Sequence, residues 1–169
     1  MKSTHYILTV IARDKPGIVN SLSDIVLANQ GSWLESSLSR LGGQFAGIVS
    51  VRVPDEFLDG FKKSLSDILP EGINVKIHGF DEENDFDGKS ATIIVEANDR
   101  PGIIDEISST LVEKNVNVEK LVSMCESASM AGYELFKAEI DVTLPKRFTV
   151  TKLQALLEKV SDDLMVTIK

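Results

Sequence analysis

Cysteine is almost absent from this chain of 169 residues, because Cys125 is the only one. A single cysteine excludes a disulfide within the chain and agrees with a reducing compartment. Long apolar runs are lacking too: no stretch approaches 18 consecutive apolar residues, and the N-terminal segment lacks the pattern of a signal peptide. We therefore expect a cytoplasmic protein without membrane association.

Basic residues are outnumbered. The sequence has 18 lysines and arginines against 26 aspartates and glutamates, which gives a formal net charge of −8. No run of lysine and arginine forms a local exception to this negative charge. An acidic chain is repelled by a phosphate backbone. We therefore expect no direct contact with nucleic acid.

The sequence also lacks the usual signatures of catalysis. It has no Walker loop, dinucleotide fingerprint, Ser-His-Asp pattern or cluster of metal ligands. Residues 83–88 imitate the opening of a calcium loop, but Ile94 stands where its bidentate glutamate should be. We predict no metal, no cofactor and no enzymatic activity. A catalytic site built on Glu96 and Asp99 is an alternative that measurable turnover would reveal.

What the sequence does contain is an internal repeat. The segment Asp14-Lys15-Pro16-Gly17-Ile18-Val19 returns 85 residues later as Asp99-Arg100-Pro101-Gly102-Ile103-Ile104. From Pro54 and Pro145 onwards the two copies match at an offset of 91, and between these regions Gly43 pairs best with Gly132 at 89. The chain therefore contains two copies of one structural unit, and we expect the function to reside in the repeated element.

Hydrophobic periodicity predicts the same six elements in each copy. A first helix follows Pro16 and Pro101, which suit the first turn of a helix, and Gly31 and Asn115 suit its left-handed end. In the first copy the remaining elements are strands over 5–12, 33–41, 45–53 and 73–77 and a second helix over 56–69. In the second copy they are strands over 91–97, 118–125, 133–144 and 164–168 and a second helix over 149–162.

The order β-α-β-β-α-β, found twice, predicts an α+β protein with two ferredoxin-like domains. Each domain has a four-stranded antiparallel sheet with both helices on one face. The predicted domains are residues 1–79 and 89–169. Residues 80–88 form the predicted linker, because five of the ten residues from Gly79 to Gly88 are acidic.

This order of elements, with an Asp-x-Pro-Gly turn after the first strand, resembles the ACT domain, a module known for binding amino acids. A pair of such domains without an attached enzyme is similar to the family of the glycine cleavage system transcriptional repressor, and residues 1–10 and 13–19 carry most of that similarity. The resemblance implies a regulator that responds to an amino acid such as glycine. It also implies that the protein acts by contacting another protein, a DNA-binding transcription regulator.

The repeated turn is itself suited to a small zwitterion. A Pro-Gly turn that enters a helix places unpaired N–H groups and the positive end of the helix dipole at one loop, where a carboxylate can bind. Gly17 and Gly102 allow close approach to the backbone, and Asp14 and Asp99 can accept hydrogen bonds from an ammonium group. The candidate ligand-binding residues, of which Ser32 and Asn117 follow from the resemblance alone, are Asp14, Pro16, Gly17, Ile18 and Ser32 in the first copy and Asn98, Asp99, Gly102, Ile103 and Asn117 in the second.

Two plainer interpretations stand beside this site. Asp14 and Asp99 can be helix caps, and the Pro-Gly pairs can serve turn geometry alone. The whole protein can also be a scaffold that needs no ligand, in which exposed sheet edges pair with other chains. Both the sensor and the scaffold predict association, so we expect a homo-oligomer.

Overall fold

The chain forms two compact units, Met1–Glu83 and Asn84–Lys169. The computed structural model describes residues 2–80, 88–127, 132 and 134–169. Most of the predicted linker and of the segment that imitates a calcium loop lies outside the described residues. The boundaries 1–79, 80–88 and 89–169 therefore stay predictions. No helix among the described residues is long and apolar enough to cross a membrane.

The first unit has the predicted order of elements. These are β1 (Ser3–Arg13), α1 (Ile18–Ala28), β2 (Ser32–Leu41), β3 (Gln44–Pro54), α2 (Leu58–Asp67) and β4 (Ile73–Gly79), with short 3₁₀ turns at Asp55–Phe57 and Leu69–Glu71. The strands pair antiparallel in the order β2-β3-β1-β4. Both middle strands, β1 and β3, alternate buried and more exposed residues, which is the pattern of a sheet with one covered face.

The second unit repeats this arrangement. Its elements are β5 (Gly88–Asn98), α3 (Ile103–Glu113), β6 (Asn117–Ser127), β7 (Glu134–Pro145), α4 (Val150–Leu157) and β8 (Met165–Ile168). The strand order is β6-β7-β5-β8, again antiparallel. The α+β class and the two ferredoxin-like domains are therefore confirmed.

The apolar residues at helical spacing face the two cores. Six of the positions predicted from that spacing in α1 and α3 are at most 3% exposed: Ile18, Leu22 and Val26 in the first unit and Ile103, Ile107 and Leu111 in the second. The remaining predicted position of α1, Ile25, is only partly buried and packs against the first core. Each helix thus covers its own sheet with one apolar stripe. The two cores share no residue.

The starts of α1 and α3 differ from the prediction. The helices begin at Ile18 and Ile103, so Pro16 and Pro101 lie in the preceding turn rather than in the first helical turn. The residue before each helix is a glycine in the left-handed region, with φ of 95° at Gly17 and 94° at Gly102. This turn requires a glycine, because other residues adopt the left-handed conformation only at a cost. The left-handed residue separates each proline from its helix.

The end of α1 also differs. Gln30, with φ of 55°, takes the left-handed conformation that the sequence predicts at Gly31, whereas Asn115 takes it in the second copy as predicted, with φ of 52°. Gly31 is needed for space instead, because a Cβ there would lie 3.0 Å from the Val26 carbonyl oxygen and 3.1 Å from that of Arg52.

The register between the copies needs two corrections. The Asp14 N–H donates to the Gly43 carbonyl at 2.9 Å, and Asp99 donates to Glu134 at 2.8 Å, so Gly43 corresponds to Glu134 and not to Gly132. Burial matches α2 to α4 at an offset of 92, because the buried pairs are Phe61 with Leu153 and Leu65 with Leu157. The predicted tight turn at Gly42-Gly43 is confirmed, with φ of 57° and 78° as a type I′ turn requires.

Candidate functional site

The turn between β1 and α1 leaves several backbone donors free. The first hydrogen bond of α1 runs from the Ser21 N–H to the Gly17 carbonyl at 2.9 Å. The N–H groups of Ile18, Val19 and Asn20 therefore have no partner within the helix. No acidic side chain lies in this first turn and no side chain caps the helix. The positive end of α1 is thus open to an anionic group.

The capping interpretation of the two aspartates is wrong. Neither α1 nor α3 has a side-chain cap, because a left-handed glycine separates the aspartate from the helix. The Asp14 carboxylate instead accepts from Arg40 Nη1 at 3.3 Å, and 73% of the Arg40 side chain is exposed. An exposed pair of this kind contributes little to stability. Asp14 is therefore held at the turn by a weak contact that a ligand can replace.

A shallow concavity lies against this turn. It has a volume of about 200 Å³ and is lined by Asp14, Lys15, Gly17, Ile18, Val19, Asn20 and Phe45. The side chain of Ile18 belongs to the core, with 3% exposure, so this residue offers its backbone N–H to the concavity. No atom lies within 4 Å of the position that a Cβ would take at Gly17, which keeps the approach to the backbone open. Lys15 donates from Nζ to the Glu71 carbonyl at 2.9 Å and fixes the turn to the segment before β4.

The equivalent turn in the second unit is occupied by an ion-pair network. The Arg100 guanidinium donates to both carboxylate oxygens of Glu106, at 2.8 and 2.7 Å. It also donates to both oxygens of Asp163, at 2.9 and 3.3 Å. We call these three residues the Arg100 cluster. Glu106 lies in the first turn of α3, and its Oε1 is 3.8 Å from the position of a Cβ at Gly102.

The Arg100 cluster shifts the protonation of its own members. The Arg100 hydrogen bond lowers the pKa of Glu106, and it lowers the pKa of Asp163 from 3.8 to about 2 with help from a hydrogen bond to Ser161. The two carboxylates in turn raise the pKa of Arg100. All three groups are therefore charged at neutral pH, and one arginine shared by two carboxylates leaves the cluster with a net charge of about −1.

The first unit has no counterpart of this cluster. Ser21 stands where the second copy has Glu106, Gly72 stands where it has Asp163, and Lys15 replaces Arg100. The Lys15 ammonium binds a backbone carbonyl and no carboxylate among the described residues. The two repeated turns thus share a backbone conformation and differ in what fills them. The first is open to a ligand, and the second is filled by its own side chains.

The low pKa of Asp163 predicts a loss of stability in acid. A carboxylate whose pKa is lower in the folded than in the unfolded chain contributes stability above the unfolded pKa, and that contribution is lost as the pH falls through the folded value. Stability should therefore fall between about pH 4 and about pH 2 as Asp163 is protonated. We expect the Asp163→Asn variant to be less stable than the wild type at pH 6 and to show a smaller further loss in this range. Urea unfolding at a series of pH values measures both effects.

The neighbouring Asp162 provides the control for this experiment. It lies in the same loop, is exposed, and takes no part in the ion pairs that join the Arg100 cluster. Asp162→Asn should leave the slope of stability against pH between 4 and 2 as in the wild type. An equal slope in the wild type and Asp163→Asn would contradict the assignment.

Asp99 has a different contact from Asp14. The pKa of the Cys125 thiol is raised, first by desolvation and then by its hydrogen bond to the Asp99 carboxylate. Cys125 is therefore protonated and unreactive at neutral pH. Asn98, the last residue of β5, lies opposite Leu135 and is exposed beside this contact.

The structure does not bring Ser32 and Asn117 to these turns within one unit. Ser32 begins β2 opposite Arg52, beside the start of β1, whereas Asp14 follows the end of β1. The two ends are separated by about eight strand residues, or roughly 26 Å. Asn117 is separated from Asp99 in the same way, because it pairs with Thr143 at the opposite end of its sheet. The reason is that α1 and α3 carry the chain back along the sheet before the second strand begins.

Sequence reasoning missed several residues that shape these turns. Asn20 and Phe45 line the first concavity, and Glu106 and Asp163 fill the second turn. Arg100 had a visible signal, because the second position of the repeated motif is basic in both copies. Its partner Asp163 is 63 residues away and had none. Among the described residues, no group of three or more His, Cys, Asp or Glu side chains is placed to hold a metal ion.

The comparisons with known proteins agree with this architecture. Residues 4–71 match the family model described as the ACT domain. A solved structure of an unknown protein from Galdieria sulphuraria has a TM-score of 0.87 at 22% identity, over 99% of this chain and 98% of that one. A structure described as a "putative glycine cleavage system transcriptional repressor" has a TM-score of 0.71 at 13% identity, over 100% and 98%. Comparison with curated proteins gives no significant match. At these identities the solved structures show the fold alone.

Proposed function

We propose that the protein is an amino-acid-responsive regulator, because residues 4–71 match the family model of the ACT domain and the second unit has the same βαββαβ fold as the first. It binds a small amino acid at the turn between β1 and α1 of the first unit. It then acts through contacts with another protein rather than by catalysis.

One observation carries this proposal. The first turn combines three unpaired backbone N–H groups, an uncapped helix end and an accessible carboxylate around a concavity of about 200 Å³. The N–H groups suit the carboxylate of an amino acid, and Asp14 suits its ammonium group. Since Arg40 holds Asp14 only through an exposed contact, the ligand ammonium can take its place.

The chemistry of the concavity favours a small amino acid. Gly17, which has no side chain, and the aromatic Phe45 are among its lining residues, and none of these residues is a buried charge that could meet a charged ligand side chain. Glycine is the first candidate, in agreement with the repressor family that the sequence resembles and with the description of one similar structure.

The partner in this proposal is a DNA-binding transcription regulator. The formal net charge of −8 disfavours direct contact with DNA, so a change in transcription would have to pass through another protein. We also propose a cytoplasmic location, where the amino-acid ligand and such a partner would meet.

Thermal unfolding against each of the twenty amino acids at millimolar concentration tests the proposal. A ligand that binds only the folded state stabilises it, by about 2.7 kcal/mol at 100 times its Kd. We expect glycine, or another small amino acid, to raise the melting temperature of the first unit. Asp14→Ala should weaken its binding about tenfold or more by isothermal titration calorimetry, because the ammonium loses a charged acceptor.

Asp99→Ala is the matched control, since it removes the equivalent carboxylate at a turn that the Arg100 cluster already fills. It should leave the affinity unchanged. If no amino acid raises the melting temperature, the alternative of a ligand-independent interaction scaffold is favoured. If Asp14→Ala and Asp99→Ala weaken binding equally, the assignment of the site to the first unit is wrong.

A further inference from the structure

The sheet of the first unit has a second face, which neither of its helices covers. Along β1, Leu8 and Val10 are buried in the core under the helices, so Ile7 lies on the opposite, open face. Ile7 pairs with Ser50 of β3, and Ser50 pairs with Glu35 of β2. Directly paired residues share a face, so these three side chains form one row that runs from an apolar group to a carboxylate.

A cavity of about 140 Å³ opens onto this row, and we call it the Glu35 cavity. Its apolar lining includes Ile7 and Ile48, and Ile48 is 52% exposed because no helix covers it. Its polar lining includes Ser37 and Ser50, which lie on the same face. A largely apolar pocket with a few convergent polar groups is the usual form of a small-molecule site.

Phe80 forms an aromatic wall of the Glu35 cavity and is positioned by contacts within the first unit. Its ring meets the His5 ring edge to face, with the centroids 5.3 Å apart and the planes at 78°. His5 Nε2 in turn accepts a hydrogen bond from Arg52 Nε at 2.7 Å. Phe80 is 41% exposed, so part of the ring is available to the hydrocarbon of a ligand.

Glu35 gives the cavity its charge. It is the only ionisable side chain among the described residues that line the cavity. It forms no ion pair or side-chain hydrogen bond with any described residue. Arg52 lies in the next row of the same face, but it donates to His5 instead. An unpaired carboxylate beside apolar surface favours a cationic ligand.

We propose that the Glu35 cavity binds a small primary amine with an apolar body. The protonated amine donates to the Glu35 carboxylate, and its hydrocarbon packs on Ile7, Ile48 and Phe80. A volume of about 140 Å³ suits a ligand of roughly six non-hydrogen atoms. An amino acid fits worse, because its carboxylate would lie beside Glu35.

This site is separate from the proposed amino-acid site at the turn before α1. Ile7 and Asp14 are seven residues apart along the direction of β1, or roughly 23 Å. The amine site also lies on the open face of the sheet, whereas α1 packs on the covered face. Neither site therefore requires the other.

The second unit lacks the charge that selects a cation. Lys120 takes the place of Glu35, since each is the first residue after the bulge of its edge strand. A larger groove of about 400 Å³ lies on this face of the second sheet, and its charges balance, because its ionisable lining residues are Glu96, Lys120, Lys137 and Glu139. The preference for an amine is therefore confined to the first unit.

An NMR titration of isotope-labelled protein tests the proposal with three probes that share one hydrocarbon shape, namely isopentylamine, isopentanol and isovalerate. We expect the amine to shift amide signals of β2 and β3 around Glu35 and Ser50 until saturation. The alcohol should bind at least about threefold more weakly, because it lacks the charge, and isovalerate should not bind. Equal affinities for the amine and isovalerate, shifts confined to other strands, or no saturable shift at tens of millimolar would overturn the proposal.

Two variants of exposed residues separate the charge from the hydrocarbon contact. Glu35→Gln should raise the Kd of the amine at least about threefold and leave that of the alcohol unchanged. Phe80→Ala should weaken both probes, because both lose the aromatic wall. If Glu35→Gln leaves the Kd of the amine unchanged, or Phe80→Ala changes neither probe, the assignment of the cavity is wrong.

Two further variants are the matched controls. Glu56→Gln removes an exposed carboxylate of the first unit that does not line the cavity, and Asp14→Ala alters the proposed amino-acid site. Both should leave the Kd of the amine unchanged. A loss in Glu56→Gln as large as that in Glu35→Gln would show unspecific attraction to negative charge and overturn the site. Because the amine titration does not involve Asp14, a failure of the amino-acid proposal leaves its result intact.

Discussion

Replacing Phe61 with alanine is expected to lower the free energy of unfolding of the first unit by about 3–5 kcal/mol. Phe61 lies on α2, is 0% exposed, and is the largest side chain buried in the first core. Its removal leaves a cavity that the surrounding helices and sheet can fill only in part. Small units have little stability to lose, so this variant should be close to unfolding at moderate temperature.

The single tryptophan makes this prediction measurable in one unit at a time. Trp33 is the only tryptophan of the chain, and it packs against the first core. Urea unfolding followed by Trp33 fluorescence therefore reports the first unit, and its midpoint should fall in Phe61→Ala. An unchanged midpoint would contradict the burial of Phe61 in this core.

Leu153→Ala is the matched control in the second core. Leu153 is the α4 residue that corresponds to Phe61, and it is 0% exposed. Its replacement should destabilise the second unit by about 2–5 kcal/mol. Because the two cores share no residue, the Trp33 transition should stay where it is while part of the circular dichroism change moves to lower urea.

The fold is predictable from the sequence because each element carries a complete local signal. Helical spacing alone identifies Ile18, Leu22, Ile25 and Val26 as core residues, of which three are buried and Ile25 is partly buried against the same core. Alternation of apolar and polar residues identifies the strands in the same way. The repeat adds a second example of every element, so a weak signal in one copy can be compared with the other. The predicted element order is therefore correct throughout.

The features that the sequence does not predict depend on contacts between distant residues or on fine backbone geometry. The sequence predicts a helix start at Pro16, which suits the first helical turn, and does not reveal that Gly17 takes the left-handed conformation and delays the start of the helix to Ile18. The Arg100 cluster joins residues that are 63 positions apart, so no local pattern points to Asp163. The resemblance to the ACT domain predicts that Ser32 and Asp14 belong to one site. The direction of β2 instead places Ser32 at the end of the sheet opposite Asp14.

These long-range contacts bear on the proposed ligand site more than on the fold. The repeated motif has an aspartate at the same position of both copies, Asp14 and Asp99, so the motif alone does not distinguish the two turns. Side-chain packing makes them unequal, because Glu106 enters the second turn and Ser21 is too short to enter the first. The difference between the two turns arises where Arg100 joins Asp163, in the loop before β8, to Glu106 in the first turn of α3.

Replacing Gly47 with alanine should have the other large effect on stability. A Cβ at Gly47 would lie 2.0 Å from the Ser37 carbonyl oxygen and 2.8 Å from the Leu38 Cα. Both neighbours are backbone atoms of β2, so no side chain can rotate to make room. Overpacking in a well-packed region usually costs about 1–3 kcal/mol, and a clash that must separate two paired strands should reach or exceed the top of that range.

The measurement is again the Trp33 transition, because Trp33 lies on β2 and should feel the separation of β2 from β3 directly. Gly43→Ala is the matched control. Gly43 has a φ of 78° and no atom within 4 Å of its Cβ position, so alanine there meets backbone strain of about 1–2 kcal/mol and no clash. If Gly47→Ala is no more destabilising than Gly43→Ala, β2 and β3 are farther apart at this point than the structure shows. If it is much more destabilising, the missing side chain at Gly47 is what allows β2 to complete the sheet of the first unit.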